Sequence, residues 1–239
     1  MAIKRIVPSS FNADSDAVTY PSRTGAYLEA YTIPLGAGDY AFADEGSCYV
    51  CTNPTTASGI AGHAAPVVAD TDTKALLHLY NGGTKTIQPH FLELEVTAVG
   101  TNGTITYAVC YIDNKGSTAL VSGGTTITPV NVRSDISTVS SAIITFGACV
   151  TAMTSSRKVG QQICREVIPV VQDTMVLRFG SPNMSAHFGM TSAGTATSHG
   201  IIHFSPVVIG PGGNLNISLI RPSQSAAASY QFTFGYVER

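Results

Sequence analysis

The chain has 239 residues, a formal net charge of −2, and only 12% Asp, Glu, Lys and Arg against 44% hydrophobic residues. Charged residues make up about half the share usual for globular domains, roughly 25%. Small basic clusters occur only at Lys4-Arg5 and Arg157-Lys158, too little to displace the counterions of a nucleic acid or to hold an anionic membrane.

The length suits one large all-β unit. Area scaling predicts roughly 10,000 Å² exposed after folding against roughly 36,000 Å² for the unfolded chain, so a sizeable core forms without disulfides or metals. Polarity comes from Thr, Ser and Asn, with 23 Gly. Hydroxyls cost far less to desolvate than ions, so this composition fits a surface largely covered by neighbours. A bland monomer is the plainer alternative. No apolar run approaches 18 residues, and the amino terminus, Met1 to Pro8, lacks the apolar core of a signal peptide. The chain is expected to stay in the compartment where it is made.

Residues 1–26 contain Pro8, Pro21 and Asn12-Ala13-Asp14-Ser15-Asp16 without sustained periodicity, and read as an extended N-terminal arm. Residues 27–239 read as a single β-sandwich domain. Tyr27 to Ile33 is a candidate first strand, followed by one around Cys48. The irregular stretch Asn53 to Asp72 reads as a loop laid against something, facing either a partner or solvent. From Ala75 the alternation becomes regular. Leu92, Leu94, Val96 and Ala98 line one face and Glu93, Glu95 and Thr97 the other. Asn102-Gly103 marks a tight hairpin, and Ile105, Tyr107, Val109 and Tyr111 share a face of the returning strand. Further strands are expected at Ile143–Val150, Ile163–Val171, Thr174–Phe179 and Gly200–Ile209, with Pro206 marking an edge or bend. Thr151–Gln162 reads as an exposed connection.

The carboxy-terminal residues give the cleanest pattern. In Asn214 to Leu219 the odd positions are apolar and the even ones polar. In Ser229 to Tyr236 the even positions place Tyr230, Phe232, Phe234 and Tyr236 on one face. Period-2 alternation predicts strands with one face buried and the other wet, and Gly210-Pro211-Gly212-Gly213 predicts a turn. No segment shows helical spacing over three turns. Eight or more short strands with Gly and Pro turns give an all-β, antiparallel two-sheet sandwich, and eight core strands fit the jelly-roll type.

Sites with chemistry are sparse. Five cysteines cannot complete a disulfide framework within one chain. Cys48 and Cys51 form a C-x-x-C in a strand context. Their Cα atoms would lie about 10 Å apart, beyond the roughly 7 Å limit for a bridge. Zinc would need a second pair, and Cys110, Cys149 and Cys164 stand alone. No Walker loop, nucleophile elbow or H-E-x-x-H occurs, and Asp70-Thr71-Asp72 lacks the Glu that closes a calcium loop. His199 and His203 would share a strand face, with His78, His90 and His187 as possible companions of a cupin-like metal site. The H-x-H with downstream Glu of that pattern is missing, and polar strand histidines are the simpler reading. The sequons at Asn102, Asn183 and Asn216 carry no meaning without secretion. The aromatic face of Tyr230 to Tyr236 reads as core before it reads as a sugar platform. No catalytic, cofactor-binding or metal residue is therefore assigned.

Several segments, taken in order, resemble a jelly-roll family of structural proteins from tailed bacteriophage particles. They are Asp44-Glu45-Gly46-Ser47 running into Cys51-Thr52-Asn53-Pro54-Thr55, then Gly59-Ile60-Ala61-Gly62-His63-Ala64-Ala65-Pro66 and Leu79-Tyr80-Asn81-Gly82-Gly83-Thr84. The ending, Pro206-Val207-Val208, Gly210-Pro211-Gly212-Gly213, Ser223-Gln224-Ser225-Ala226 and the aromatic strand closed by Glu238, completes the set. The resemblance covers most of residues 40–239 and is to capsid decoration (cement) proteins and related virion components. It implies a non-enzymatic virion protein on the capsid surface, bound to the major capsid protein and to copies of itself, a homotrimer by analogy. It also leaves open a head- or tail-fibre, receptor-binding component or, less in keeping with so weakly basic an arm, a jelly-roll shell protein.

Overall fold

The computed structural model describes residues 23–24, 30–31, 42–55, 58–64, 71–100, 106–165, 171–180, 186–188, 199–221 and 224–239. The chain divides into two compact units, 1–41 and 42–239. In the first, β1 (Arg23–Thr24) pairs antiparallel with β2 (Ala30–Tyr31). The arm boundary drawn after residue 26 falls between these two strands. The rest of the arm and of the Tyr27–Ile33 strand lies outside the described residues.

Among its described residues the second unit is all-β apart from a helical turn at 42–44. Its strands are β3 (Cys48–Thr52), β4 (Ile60–Ala61), β5 (Lys74–Asn81), β6 (Ile87–Ala98), β7 (Thr106–Asp113), β8 (Leu120–Ser122), β9 (Thr125–Ile127), β10 (Val130–Asn131), β11 (Ala142–Thr151), β12 (Arg157–Arg165), β13 (Thr174–Phe179), β14 (Ala186–Phe188), β15 (His199–Phe204), β16 (Asn214–Ile220) and β17 (Ser229–Glu238). They form two large sheets. One has the order β10-β3-β17-β6-β13-β15-β14, with β4 also on β17. The other runs β12-β7-β16-β5-β11-β8, with β9 also on β11.

Side chains from both sheets share one core. Leu92, Leu94 and Val96 of β6 and Tyr230, Phe232, Phe234 and Tyr236 of β17 meet Leu77, Leu79, Phe146, Leu215 and Ile217 of the other sheet. The Phe146 and Phe232 rings stack across the interior at 3.9 Å between centroids. The four terminal aromatics are thus core, at 4%, 4%, 0% and 2% exposure. Offset aromatic pairs add to the burial of such large side chains.

Four details depart from the sequence reading. The Thr151–Gln162 connection is largely strand: β12 pairs with β7 from Arg157↔Ile112 to Arg165↔Thr106. Its Arg, Lys and Gln residues suit an edge strand, where one backbone side and one face meet water. Of the expected Ile163–Val171 strand the first three residues belong to β12, and residues 166–170 lie outside those described. Residues 171–172 form a turn, with Gln172 at φ 73°. The sandwich is not wholly antiparallel, because β15 runs parallel to β13 from Thr174↔His199 to Phe179↔Phe204. A parallel pair needs a crossover, and the chain between the two strands includes β14.

The fourth departure concerns the face of β16 read as wet. Asn214, Asn216 and Ser218 are fully buried, as is the neighbouring His78. A loop and a neighbouring strand supply partners for its polar groups: Asn214 Nδ2 donates to the Ser117 carbonyl at 3.0 Å and Ser218 Oγ to that of Lys74, the first residue of β5, at 2.7 Å. Burial of polar strand residues costs little when every group finds a partner. Within the Asn53–Asp72 stretch, β4 pairs with the start of β17 and Gly62 N donates to the Ala228 carbonyl. Residues 65–70 lie outside those described, as does the Asn102-Gly103 hairpin.

Candidate functional site

The chemically reactive residues are placed by the sheets in positions that keep them apart. Cys51 faces the core opposite Phe234, whose carbonyl accepts a weak bond from its thiol at 3.7 Å. Cys48, three residues earlier, is half-buried, and none of Cys48, Cys51, Cys110 and Cys149 is in a disulfide. Burial pushes Cys51 and Cys149 up to about 12 and Cys110 higher still. A nucleophilic cysteine requires the opposite shift.

The histidines are divided between the sheets. His78 lies on β5, while His90 is on β6 and His199 and His203 sit on β15, in register with Thr174 and Arg178. Among the described residues no three His, Cys, Asp or Glu side chains gather where they could hold a metal ion. His78 belongs to a polar chain on the outer face of its sheet. Its Nδ1 is 2.8 Å from Asn216 Oδ1 and its Nε2 3.4 Å from Thr118 Oγ1. The Asn216 amide donates to the Asp72 carbonyl and to Thr151 Oγ1, each at 2.8 Å, and Thr151 Oγ1 donates to Asp72 O at 2.5 Å. An acceptor oxygen opposite Nδ1 fixes that nitrogen as the protonated one. Burial holds His78 below its ordinary range, with the Asn216 bond opposing weakly. His63, whose Nε2 faces the carbonyls of Ala75 and Cys149, is also lowered, chiefly by burial. Both rings act as neutral structural groups that pin loops to the sheet.

On the outer face of the other sheet lies a shallow groove of about 190 Å³ lined by Thr52, Asn53, Glu93, Glu95, Gln231 and Thr233. The pairings Thr233↔Glu93 and Gln231↔Glu95 place these side chains on neighbouring strands. The alternation of β6 signalled the two glutamates as a solvent face, but not that Thr52 and Asn53 would close the groove beside them. The arrangement offers carboxylates, an amide and hydroxyls to a polar ligand.

A third feature is more extensive. Residues 116–156 add β8, β9 and β11 to one sheet and β10 to the edge of the other, and the Thr154 and Ser155 amides donate to the Asp113 carboxylate at the end of β7. In this whole stretch the only charged residues are Arg133 and Asp135; Arg133 pairs with Asp135 and also lies 3.6 Å from the exposed carboxylate of Asp44. Arg133 Nε and Nη2 lie 2.7 and 3.1 Å from the two Asp135 oxygens, a bidentate pair that holds the Asp135 carboxyl below its ordinary range. Arg133 also donates to the Asp44 carbonyl. Among the described residues nine large hydrophobics are exposed, and six of them are here: Val121, Val130, Val132, Val139, Ile143 and Val150, from 40% to 75% exposed. The low charge of the sequence signalled a covered surface, whereas the concentration of exposed valines on one insertion emerges only from the fold. The insertion is anchored to the last strand through Glu238, whose carboxylate accepts the Ser140 and Ser141 hydroxyls at 2.7 and 2.6 Å.

No helix among the described residues is long and apolar enough to cross a membrane. Compared with known proteins, the chain matches no family model, no curated protein and no solved structure.

Proposed function

We propose that this chain is a non-enzymatic structural protein of a tailed-phage particle, a decoration or cement protein that binds the head shell from outside and stabilises it. The reading begins with the fold type. Taken in chain order, β3, β5, β6, β7, β12, β13, β16 and β17 are eight core strands. Numbered one to eight, they lie in the orders 1-8-3-6 and 2-7-4-5, which supports reading the sandwich as a double-sheet jelly roll. That strand order is the observation that carries the proposal, because it is the scaffold of the family whose motifs the sequence resembles from residue 40 onward. Fold alone does not assign function. The second support is a composition with 12% charged residues, suited to a surface covered by neighbouring proteins.

In this role the sandwich is a rigid plate held by its shared core, and its partner is the major capsid protein. The test is addition of the purified full chain to head shells lacking it, followed by sedimentation and by heating of the decorated shells. Saturable binding with a raised rupture temperature is expected. Shells that neither bind the chain nor gain stability would contradict the proposal. A second reading, a fibre or receptor-binding component, is favoured by the groove of Glu93, Glu95 and Gln231, whose hydrogen-bonding groups suit a sugar. Binding on a glycan array that is lost in Gln231→Ala would bring that reading forward.

A further inference from the structure

We infer that the guanidinium of Arg221 is the receptor for a small oxyanion of the phosphate or sulfate type, held at the end of the sandwich where β16 stops. Arg221 is 1% exposed and is among the largest side chains sealed from solvent. Its Nε, Nη1 and Nη2 are all buried, and none of them bonds to a described residue. Arginine is almost never sealed in this way without a partner, and it does not escape the cost by losing its proton. An unsatisfied buried group in a native protein calls for a specific cause, a bound ion among them.

The strand pattern puts the charge there. Leu215, Ile217 and Leu219 of β16 pack into the shared core, and Arg221 continues their alternation one residue beyond the strand. The register Ile220↔Tyr107 brings Arg221 level with Thr106, the first residue of β7, and Thr106 pairs in turn with Arg165 of β12. Two arginine positions thus flank one threonine at the same end of the sheet. The buried acids do not neutralise the guanidinium. Asp113 and Glu238 occupy the opposite ends of β7 and β17, where backbone amides and serine hydroxyls hold them. Asp173, buried just before β13, has a partner of its own, and no Arg221 nitrogen bonds to it. In the turn that follows, the acceptors serve Gln224. Its backbone N–H donates to the Arg221 carbonyl at 3.2 Å, and its Nε2 donates to the carbonyls of Ala226 and His63 at 2.6 and 3.4 Å.

The chemistry of the group sets the ligand. A guanidinium presents N–H donors in a planar fork that matches two oxygens of one oxyanion, and such bidentate bonds are among the strongest available to a side chain. An anion seated on the fork turns a lone buried charge into a hydrogen-bonded pair, which removes the largest part of the burial cost. Enclosure sets the size. A group at 1% exposure offers no face to another macromolecule, so the ligand is an ion small enough to be enclosed with it. This site does not rest on the particle reading, and its assay needs no particle.

The test is thermal unfolding of the full chain in chloride buffer with phosphate or sulfate added at fixed ionic strength. The variants are Arg221→Met, Arg221→Lys and, as a control on an exposed arginine, Arg133→Met. Wild type and R133M should gain Tm saturably, by about 5–11 °C at a hundred times the Kd, whereas stabilisation by exclusion of the same salts rises without saturating. R221M should be at least as stable as wild type in chloride and show none of the saturable gain. R221K keeps the charge without the fork and should bind the anion at least about ten-fold more weakly. Phosphorus NMR of the wild type, which does not depend on any variant folding, should show a single bound phosphate per chain. A wild type that binds neither anion saturably, or an R221M that binds as tightly as wild type, would overturn the inference.

Discussion

Replacing Glu238 with Ala should release residues 140–141 from the last strand, and the structure sets the size of the effect. Glu238 is 6% exposed and accepts the Ser140 hydroxyl at 2.7 Å, the Ser141 hydroxyl at 2.6 Å and the Ser141 N–H at 3.3–3.4 Å. Ser140 Oγ in turn accepts the Tyr236 hydroxyl at 2.6 Å and the Ala142 N–H at 3.0 Å. Bonds to a charged group contribute about 1.5–3 kcal/mol each. The two short hydroxyl bonds share one carboxylate, so their loss is not additive, and the expected cost is about 3–4 kcal/mol. For a chain of this length that lowers Tm by about 6–16 °C. Glu238→Gln retains one acceptor and gains a donor, so it should cost about 1–2 kcal/mol. Urea unfolding of the two variants, combined in a cycle with Ser141→Ala, measures these values. An alanine variant within about 1 kcal/mol of wild type, or no coupling to Ser141, would refute the reasoning.

Three further outcomes follow from buried groups. Because His78 and His63 are lowered from their ordinary 6.5 by burial, the unfolded chain takes up protons first as the medium is acidified. Their contribution is therefore intact above about pH 7 and is lost as pH falls through 6.5 toward the lowered folded values. Stability followed by urea titration should decline over that window, less steeply in His78→Gln; an identical slope in that variant would remove His78 from the account. Arg221 is 1% exposed, and its three guanidinium nitrogens have no acceptor among the described residues. Arg221→Met should raise stability by about 1–4 kcal/mol, as removal of a poorly compensated buried charge does, and a fall in Tm would reveal an acceptor. Cys51, Cys110 and Cys149 should resist a thiol reagent at pH 8 until the chain is unfolded. Mass mapping of labelled peptides checks this, and rapid labelling of Cys51 would contradict its burial.

The readable parts of the fold were those in which side-chain alternation alone sets the face. Tyr230, Phe232, Phe234 and Tyr236 are such a case, and Thr174–Phe179 is a strand over the bounds the pattern gave. Alternation cannot show what lies over the polar face. Asn214, Asn216 and Ser218 read as wet because they are polar, yet loops and strand ends supply them with carbonyl or hydroxyl partners. β12 was missed because edge-strand charges look the same in sequence as those of a loop. The candidate contact surface was legible only as a bulk property. Low charge pointed to assembly, but only the structure shows that Val121, Val139 and Val150 are exposed. The groove of Glu93 and Glu95 depends on β17 lying beside β6, a pairing of residues more than a hundred positions apart.

The central claim is that this chain is a multi-copy component of a particle shell. Quantitative mass spectrometry of gradient-purified particles, from a lysate that encodes the chain, tests it most directly. The account predicts hundreds of copies per particle, in fixed ratio to the major capsid protein. Particles that contain the capsid protein but none of this chain would contradict it.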